Sequence, residues 1–375
     1  MRGSQGVNTP LRSPQGENIY LKTEKGNHKG LPLLPPITTY TNLLTQNSRL
    51  RTQNYKNIML SRIGNSLFWM GRYIERAEHI ARYTRVQYVS SVDAPLGQNR
   101  ELILESILDM AGSKDAYLAL HEKLEDDKVI DFISISEDNA FSIISYIGRI
   151  RENARGSRDN ISIELWEAIN RFYHKVNELM TSEMPSEEIE FFARRIEENS
   201  YITKGYIENT LLHNDVWMLI SLGMHLERVI QVVRILQTKL DDIEKLEMNT
   251  QESALENYQW STTLKSTEAF DMFMRCHKTS PTRSHVLDFL LFDTQFPKSV
   301  AYSMNRVRDC IEGISFNQEE SRKESLEFMA GKLACRFQYL TIEEVEDRAP
   351  QFLKRTLDNV YELASQLDVK YLKYN

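Results

Sequence analysis

Residues 63–82 read Ile63-Gly64-Asn65-Ser66-Leu67-Phe68-Trp69-Met70-Gly71-Arg72-Tyr73-Ile74-Glu75-Arg76-Ala77-Glu78-His79-Ile80-Ala81-Arg82. The apolar residues Ile63, Leu67, Met70, Ile74, Ala77 and Ala81 fall at alternating steps of four and three, the seam of a bundle helix. The seam predicts a helix from Met59 to about Val89. A second seam (Leu219, Leu222, Leu226, Val229, Val233, Leu236, Leu240) predicts another from about Asp215 to Asp241. The two share a motif. Gly71-Arg72-Tyr73-Ile74-Glu75-Arg76 aligns with Gly223-Met224-His225-Leu226-Glu227-Arg228 at an offset of 152, and Arg82 falls on Arg234. A glycine inside a helix costs about 1 kcal/mol against alanine, so Gly71 and Gly223 are expected to admit a close neighbour, either a helix or a ligand.

Caps place the remaining helices. Ser136 is expected to head a helix running to about Arg155, Ser186 to precede one with Glu187 and Glu188 in its first turn, and Ser280 to lead into Pro281 at a first helical position. Pro297 is expected to start another. Thr341 with Glu344 forms a capping box for the last, whose seam is Leu353, Leu357, Val360, Ala364 and Leu367. The fold class is all-α, a multi-helix bundle of about nine or ten helices with a weak internal repeat of the Glu-Arg helix.

Composition agrees. The 375 residues are 41% hydrophobic and 26% charged, and no run of eighteen apolar residues offers a membrane span. A net charge of −7 argues against a general nucleic-acid partner. Residues 1–58 hold eight basic side chains against two acids, plus 6, which leaves minus 13 for the rest. They also hold five of the 15 glycines and five of the 10 prolines. They are therefore expected to be a disordered leader or an upstream-start extension, and residues 59–375 a single helical domain. Cys276, Cys310 and Cys335 form no C-x-x-C pair, and no secretory signal is visible, so a cytoplasmic location is expected.

The charged residues admit several readings. Glu75, Arg72 and Arg82 flank the first seam, as Glu227 and Arg234 flank the second. Arg151-Glu152-Asn153-Ala154-Arg155-Gly156-Ser157-Arg158 puts Arg151, Arg155 and Arg158 on one helix stripe, which needs an anion opposite; Glu75 and Glu227 are the internal candidates. Glu75, Arg76, Glu227 and Arg228 can form buried ion pairs tying helices together. Alternatively the surplus arginines hold a carboxylate, a phosphate or an anionic peptide group. A third reading gives catalysis to Glu75 with Arg72, Arg155 and His79, the last otherwise a solvated helix histidine. Metal and cofactor sites are not expected: no histidine follows a glutamate by three residues, and no Walker A, G-x-G-x-x-G or G-x-S-x-G motif occurs. Cys276 reads as a small core residue, and Trp69, Trp166 and Trp217 as core fillers.

Several motifs carry a resemblance. They are Met59-Leu60-Ser61-Arg62, Trp69-Met70-Gly71-Arg72-Tyr73, Glu75-Arg76-Ala77-Glu78, Arg151 to Arg158 with Ser162, Trp166 and Asn170, Leu222-Gly223 through Glu227-Arg228, Phe289-Leu290-Leu291, and Phe296-Pro297-Lys298-Ser299-Val300. From Met59 onward the chain resembles the bacterial alpha-E family, a helical domain with a recurring Glu-Arg motif. One copy departs: Met224-His225 and Val229-Ile230 stand where the family pattern is Gly-Arg-His-Leu-Glu-Arg-Ala-Asp. The resemblance implies a setting beside circularly permuted ATP-grasp proteins and transglutaminase-like proteins, hence peptide or amide-bond chemistry. The expected function is an interaction or substrate-presenting module working with an ATP-grasp-type ligase. The alternatives are an enzyme of amide chemistry with its own Glu/Arg site, and a purely structural scaffold.

Overall fold

Thr38 to Ile58 contains neither glycine nor proline, so nothing breaks the helix N-terminal to the first seam. In the computed structural model helix α1 spans Thr38–Val92, starting well before the expected Met59. The structure describes residues 38–92, 100–179, 184–247, 253–314 and 325–372; residues 1–37 of the expected leader lie outside them. The chain divides into two units, Met1–Asn54 and Tyr55–Asn375.

After α1 come α2 (Arg100–Ala111), α3 (Lys114–Leu120), α4 (Asp126–Ser134), α5 (Ile143–Gly156), α6 (Ile163–Asn177) and α7 (Ile189–Thr210). They are followed by α8 (Asp215–Glu247), α9 (Ser253–Ser266), α10 (Phe270–His277), α11 (Arg283–Phe292), α12 (Val300–Gly313), α13 (Leu326–Tyr339) and α14 (Ala349–Leu367). Among the described residues there are thus fourteen helices rather than nine or ten, and no strand. The excess lies in helices that neither seam nor cap had marked, among them the short α3, α4 and α10.

Cap chemistry shows where the boundaries moved. Ser142, not Ser136, caps α5 by accepting from the Ser145 amide. Ser186 opens a short 3-10 turn that leads into α7. Thr282 caps α11, two residues after Ser280, and Ser299 caps α12, two residues after Pro297, accepting from the Tyr302 amide at 3.0 Å. Thr341 and Glu344 do form a capping box, but around the 3-10 turn Ile342–Glu344, and α14 begins later with Pro350 in its first turn.

Two apolar cores meet along α1. Leu67, Met70 and Ile74 join Leu222, Val229, Val233, Trp260, Met304 and Leu353 in the first. Ala77, Ala81 and Tyr83 join Ile107, Ile130, Phe172 and Phe192 of α2 to α7 in the second. Helix α8 is the axle of the bundle, packed against α2, α9, α12 and α14. Its Asp215–Leu246 stretch is long and apolar enough to cross a membrane, yet 83% of that apolar window is buried inside the protein, where core packing accounts for it. Trp217 and Trp260 are buried, whereas Trp69 and Trp166 are only partly covered. Cys276 is exposed on α10 rather than in the core, and Cys310 is the buried thiol.

Candidate functional site

The shared motif lies where α1 and α8 cross. A Cβ on Gly71 would stand 2.2 Å from the Ile220 carbonyl oxygen, and one on Gly223 would stand 2.1 Å from that of Phe68. Only glycine permits this backbone approach. Contacts rise together in number along both helices, from Phe68 against Gly223 to Gln87 against Lys239, so the two run parallel.

The approach aligns the charged residues reciprocally. Arg228 forks onto Glu75 (Nε to Oε1 2.5 Å, Nη2 to Oε2 3.1 Å), and Arg76 forks onto Glu227 (Nε to Oε1 2.5 Å, Nη2 to Oε2 2.9 Å). One turn on, the His79 Nε2–H donates to Glu75 at 3.2 Å and Gln231 Nε2 donates to Glu227 at 2.6 Å. A second cation completes each set. For Glu227 it is Arg72, at 2.8 Å; at the matching position α8 carries Met224, and Glu75 receives Lys204 from α7 instead, at 2.5 Å. The missing arginine of the second motif is thus replaced from elsewhere in the chain. The matching of Arg82 with Arg234 does not extend to partners, since Arg234 donates to the Asp109 carbonyl.

Both carboxylates are fully buried. Burial alone would raise their pKa values, but Arg228, Lys204 and His79 hold Glu75 well below the usual range, and Arg76 and Arg72 bring Glu227 down to about 2. Both are therefore ionised and saturated with donors. His79 is fully buried rather than solvated, and burial lowers its pKa despite Glu75, so it is neutral with Nδ1 unpartnered.

From Glu75 the network passes through Lys204 to Glu78 and outward. Glu78 is ringed by Arg82, Lys204, Lys298 (3.0 Å) and the Tyr201 hydroxyl (3.2 Å). Arg82, fully buried, also donates to Glu197 (3.2 Å) and Tyr201 (3.0 Å), and lies 3.3 Å from Glu268. Arg85 donates to Glu197 at 2.9 Å. Lys298 and the Tyr201 hydroxyl donate in turn to Glu268. This network holds five cations (Arg82, Arg85, Arg228, Lys204, Lys298) against four carboxylates (Glu75, Glu78, Glu197, Glu268), and the Glu227 group beside it holds Arg72 and Arg76 against one. Beside Tyr201 and Glu268 it opens on a pocket of about 900 Å³, also lined by Arg85, Arg194, Lys265 and Phe270.

The arginine stripe is elsewhere and does not face Glu75 or Glu227. Helix α5 ends at Gly156, so Arg158 leaves the stripe in a 3-10 turn and stacks on Trp166, 5.2 Å from its ring centroid. Arg151 donates to Asn170 at 2.8 Å and stacks on Tyr173. Exposed Arg155 pairs with exposed Glu152 at 2.5 Å, and Asn153 donates to the Arg149 carbonyl. Nearby aromatic rings and a local carboxylate, not the buried glutamates, balance these residues. The site therefore unites Arg72, Glu75, Arg76, His79, Arg82, Glu227 and Arg228, and leaves out Arg151, Glu152, Asn153, Arg155 and Arg158. It also includes Glu78, Glu197, Tyr201, Lys204, Glu268 and Lys298, which seam reasoning passed over. Glu78 and Lys298 lie inside the family motifs; Tyr201 and Lys204 carried no signal beyond a three-residue spacing, about one turn, on α7. Among the described residues no group of three His, Cys, Asp or Glu side chains converges as metal ligands.

An uncharacterised protein of Mycobacterium bovis is 23% identical over 319 residues, covering 79% of this chain and 34% of its own length. Uncharacterised proteins of two Mycobacterium tuberculosis strains match at 23% and 22% over the same shares. The chain thus spans about a third of the length of the curated relatives it matches. No solved structure matches it. The profile described as a predicted alpha-helical domain with a conserved ER motif matches residues 59–372, which include both reciprocal Glu-Arg pairs, and the chain belongs to this Alpha-E family.

Proposed function

We propose that this chain is a helical module that presents an anionic, peptide-like group to a separate ligase of the circularly permuted ATP-grasp type, with a transglutaminase-like protein as a further partner. The observation that carries the reading is the saturation of Glu75 and Glu227: each is ionised and held by two cations and one neutral donor, so neither is free for general acid–base work. The motif serves as a lock between α1 and α8, and the cluster of Arg82, Tyr201 and Lys298 around Glu268 beside the pocket serves as the recognition feature. The mycobacterial relatives support a modular role, because the matched segment is about a third of a longer chain. The test is co-purification of the tagged chain with a circularly permuted ATP-grasp protein encoded in the same genome. A complex that persists through size-exclusion chromatography is expected. No complex at micromolar concentrations, or amide-bond turnover by the chain alone, would overturn the reading.

A further inference from the structure

The Glu268 carboxylate sits in a receptor site made by other elements. Its Oε2 accepts from two donors, the Tyr201 hydroxyl of α7 and the Lys298 ammonium just ahead of α12, and lies 3.3 Å from the Arg82 guanidinium of α1 as an ion pair. Arg82 keeps one further donor in reserve, since its Nη1 is buried without a partner. A buried guanidinium nitrogen left unmade is costly, and its natural complement is another oxygen. Glu268 itself is poorly suited to permanent residence. It lies in the turn between α9 and α10 with φ of 53°, the left-handed region a non-glycine residue seldom adopts, and its side chain is 36% exposed toward the pocket.

We infer that Arg82, Tyr201 and Lys298 form an oxyanion-binding site that Glu268 fills in the unliganded protein, and that a ligand carboxylate or phosphate entering from the pocket displaces it. The incoming anion inherits the Tyr201 and Lys298 donors and the Arg82 charge, and gains Arg82 Nη1 as a third donor. Glu268 turns out beside Lys265, on a pocket wall that also carries Arg85, Asp271 and the Arg194–Glu190 pair. Exchange for a monoanion keeps the buried charge balance unchanged, and a dianion only adds negative charge, so neither strands a cation in the interior. Arg85 and Phe270, on the same wall, border the rest of the ligand. The inference deepens the presenting-module reading and rests on it for biological purpose. Its test uses the full chain alone, so absence of a ligase complex and absence of anion binding are separate results.

The experiment is isothermal titration of wild type, Glu268→Ala and Glu268→Gly with inorganic phosphate and, separately, with N-acetylglycine. Glycine accommodates the positive φ, so the second variant keeps the test valid if alanine perturbs the turn. Removing the resident carboxylate is expected to tighten at least one probe by roughly tenfold or more, the scale of one charge-assisted hydrogen bond. Adding Lys298→Met to either variant is expected to abolish the gain while far-UV circular dichroism stays helical. Preference for phosphate over N-acetylglycine, or the reverse, identifies which kind of oxyanion the site selects. Equal affinity in wild type and both Glu268 variants overturns the displacement, and no binding of either probe to any variant overturns the site.

Discussion

Alanine at Gly71 tests the helix crossing on which the reciprocal ion pairs depend. An added Cβ would meet the Ile220 carbonyl oxygen at 2.2 Å, where ordinary contact begins near 3.4 Å, so α1 and α8 must part by about 1.2 Å. The obstacle is backbone, and no side chain can turn aside. A gap of that size forfeits a quarter to a half of the dispersion attraction across the contact, and overpacking of this kind typically costs about 1–3 kcal/mol. The same opening stretches the two arginine forks, whose bonds of 2.5 to 3.1 Å weaken as their anchors separate. Against this stands a gain of about 1 kcal/mol from the better helix former. The net expectation is a loss of about 2 kcal/mol for Gly71→Ala, and likewise for Gly223→Ala, read from guanidinium unfolding by far-UV circular dichroism. The double variant should lose scarcely more than either single one, because one widening relieves both clashes. Gly148, Gly205 and Gly331 are the controls: each lies in a helix with open space where a Cβ would go, so alanine there should stabilise by up to about 1 kcal/mol. A Gly71→Ala protein stabilised like the controls would refute the close crossing.

The remaining expectations concern the charges and thiols. Glu227→Gln leaves Arg72 and Arg76 buried beside a neutral amide and should cost about 3–5 kcal/mol in the same unfolding assay. Because the folded pKa of Glu227 is about 2 against an ordinary 4.5, its contribution is fully present above pH 4.5 and is lost as pH falls toward 2. That limb, about 3 kcal/mol, should be missing from the pH–stability profile of Glu227→Gln. Arg155→Ala removes only an exposed pair with Glu152, so its unfolding midpoint should correspond to a change within about 0.5 kcal/mol. A thiol reagent should label Cys276 and Cys335 in the folded protein and Cys310 only after denaturation, since burial pushes the Cys310 thiol up to about 12 and hides it.

Periodicity made the two central helices legible, because a seam that repeats every three or four residues has one physical reading and Gly71 and Gly223 interrupted it without ending it. The short helices were less legible. Ser136 and Ser142 are equally good caps by composition, and only packing against the second core selects Ser142. The charged site was legible where partners share the motif and invisible where they do not. Glu75 and Arg228 announce each other through the repeat, but the second cation on Glu75 comes from Lys204, more than a hundred residues away on α7, and nothing local marks it. The arginine stripe misled for a related reason. Its spacing predicted an anion opposite, whereas rings at Tyr173 and Trp166 supply π faces that sequence spacing does not reveal.

The division of labour within the network follows from the same geometry. At Glu75 and Glu227 every carboxylate oxygen is engaged and no solvent reaches it, so exchange with an outside ligand would strand cations in the interior. At Glu268 the carboxylate is partly exposed, held by groups from three separate elements, and carried on a turn residue in an uncommon conformation. The motif that defines the family is therefore the rigid end of the cluster, and the exchangeable end lies 193 residues along the chain from Glu75. Substitutions at Glu75 or Glu227 should act first on stability, and substitutions at Glu268 first on ligand affinity. A Glu268→Ala protein with unchanged anion binding but a large loss of stability would place Glu268 inside the lock and remove the distinction.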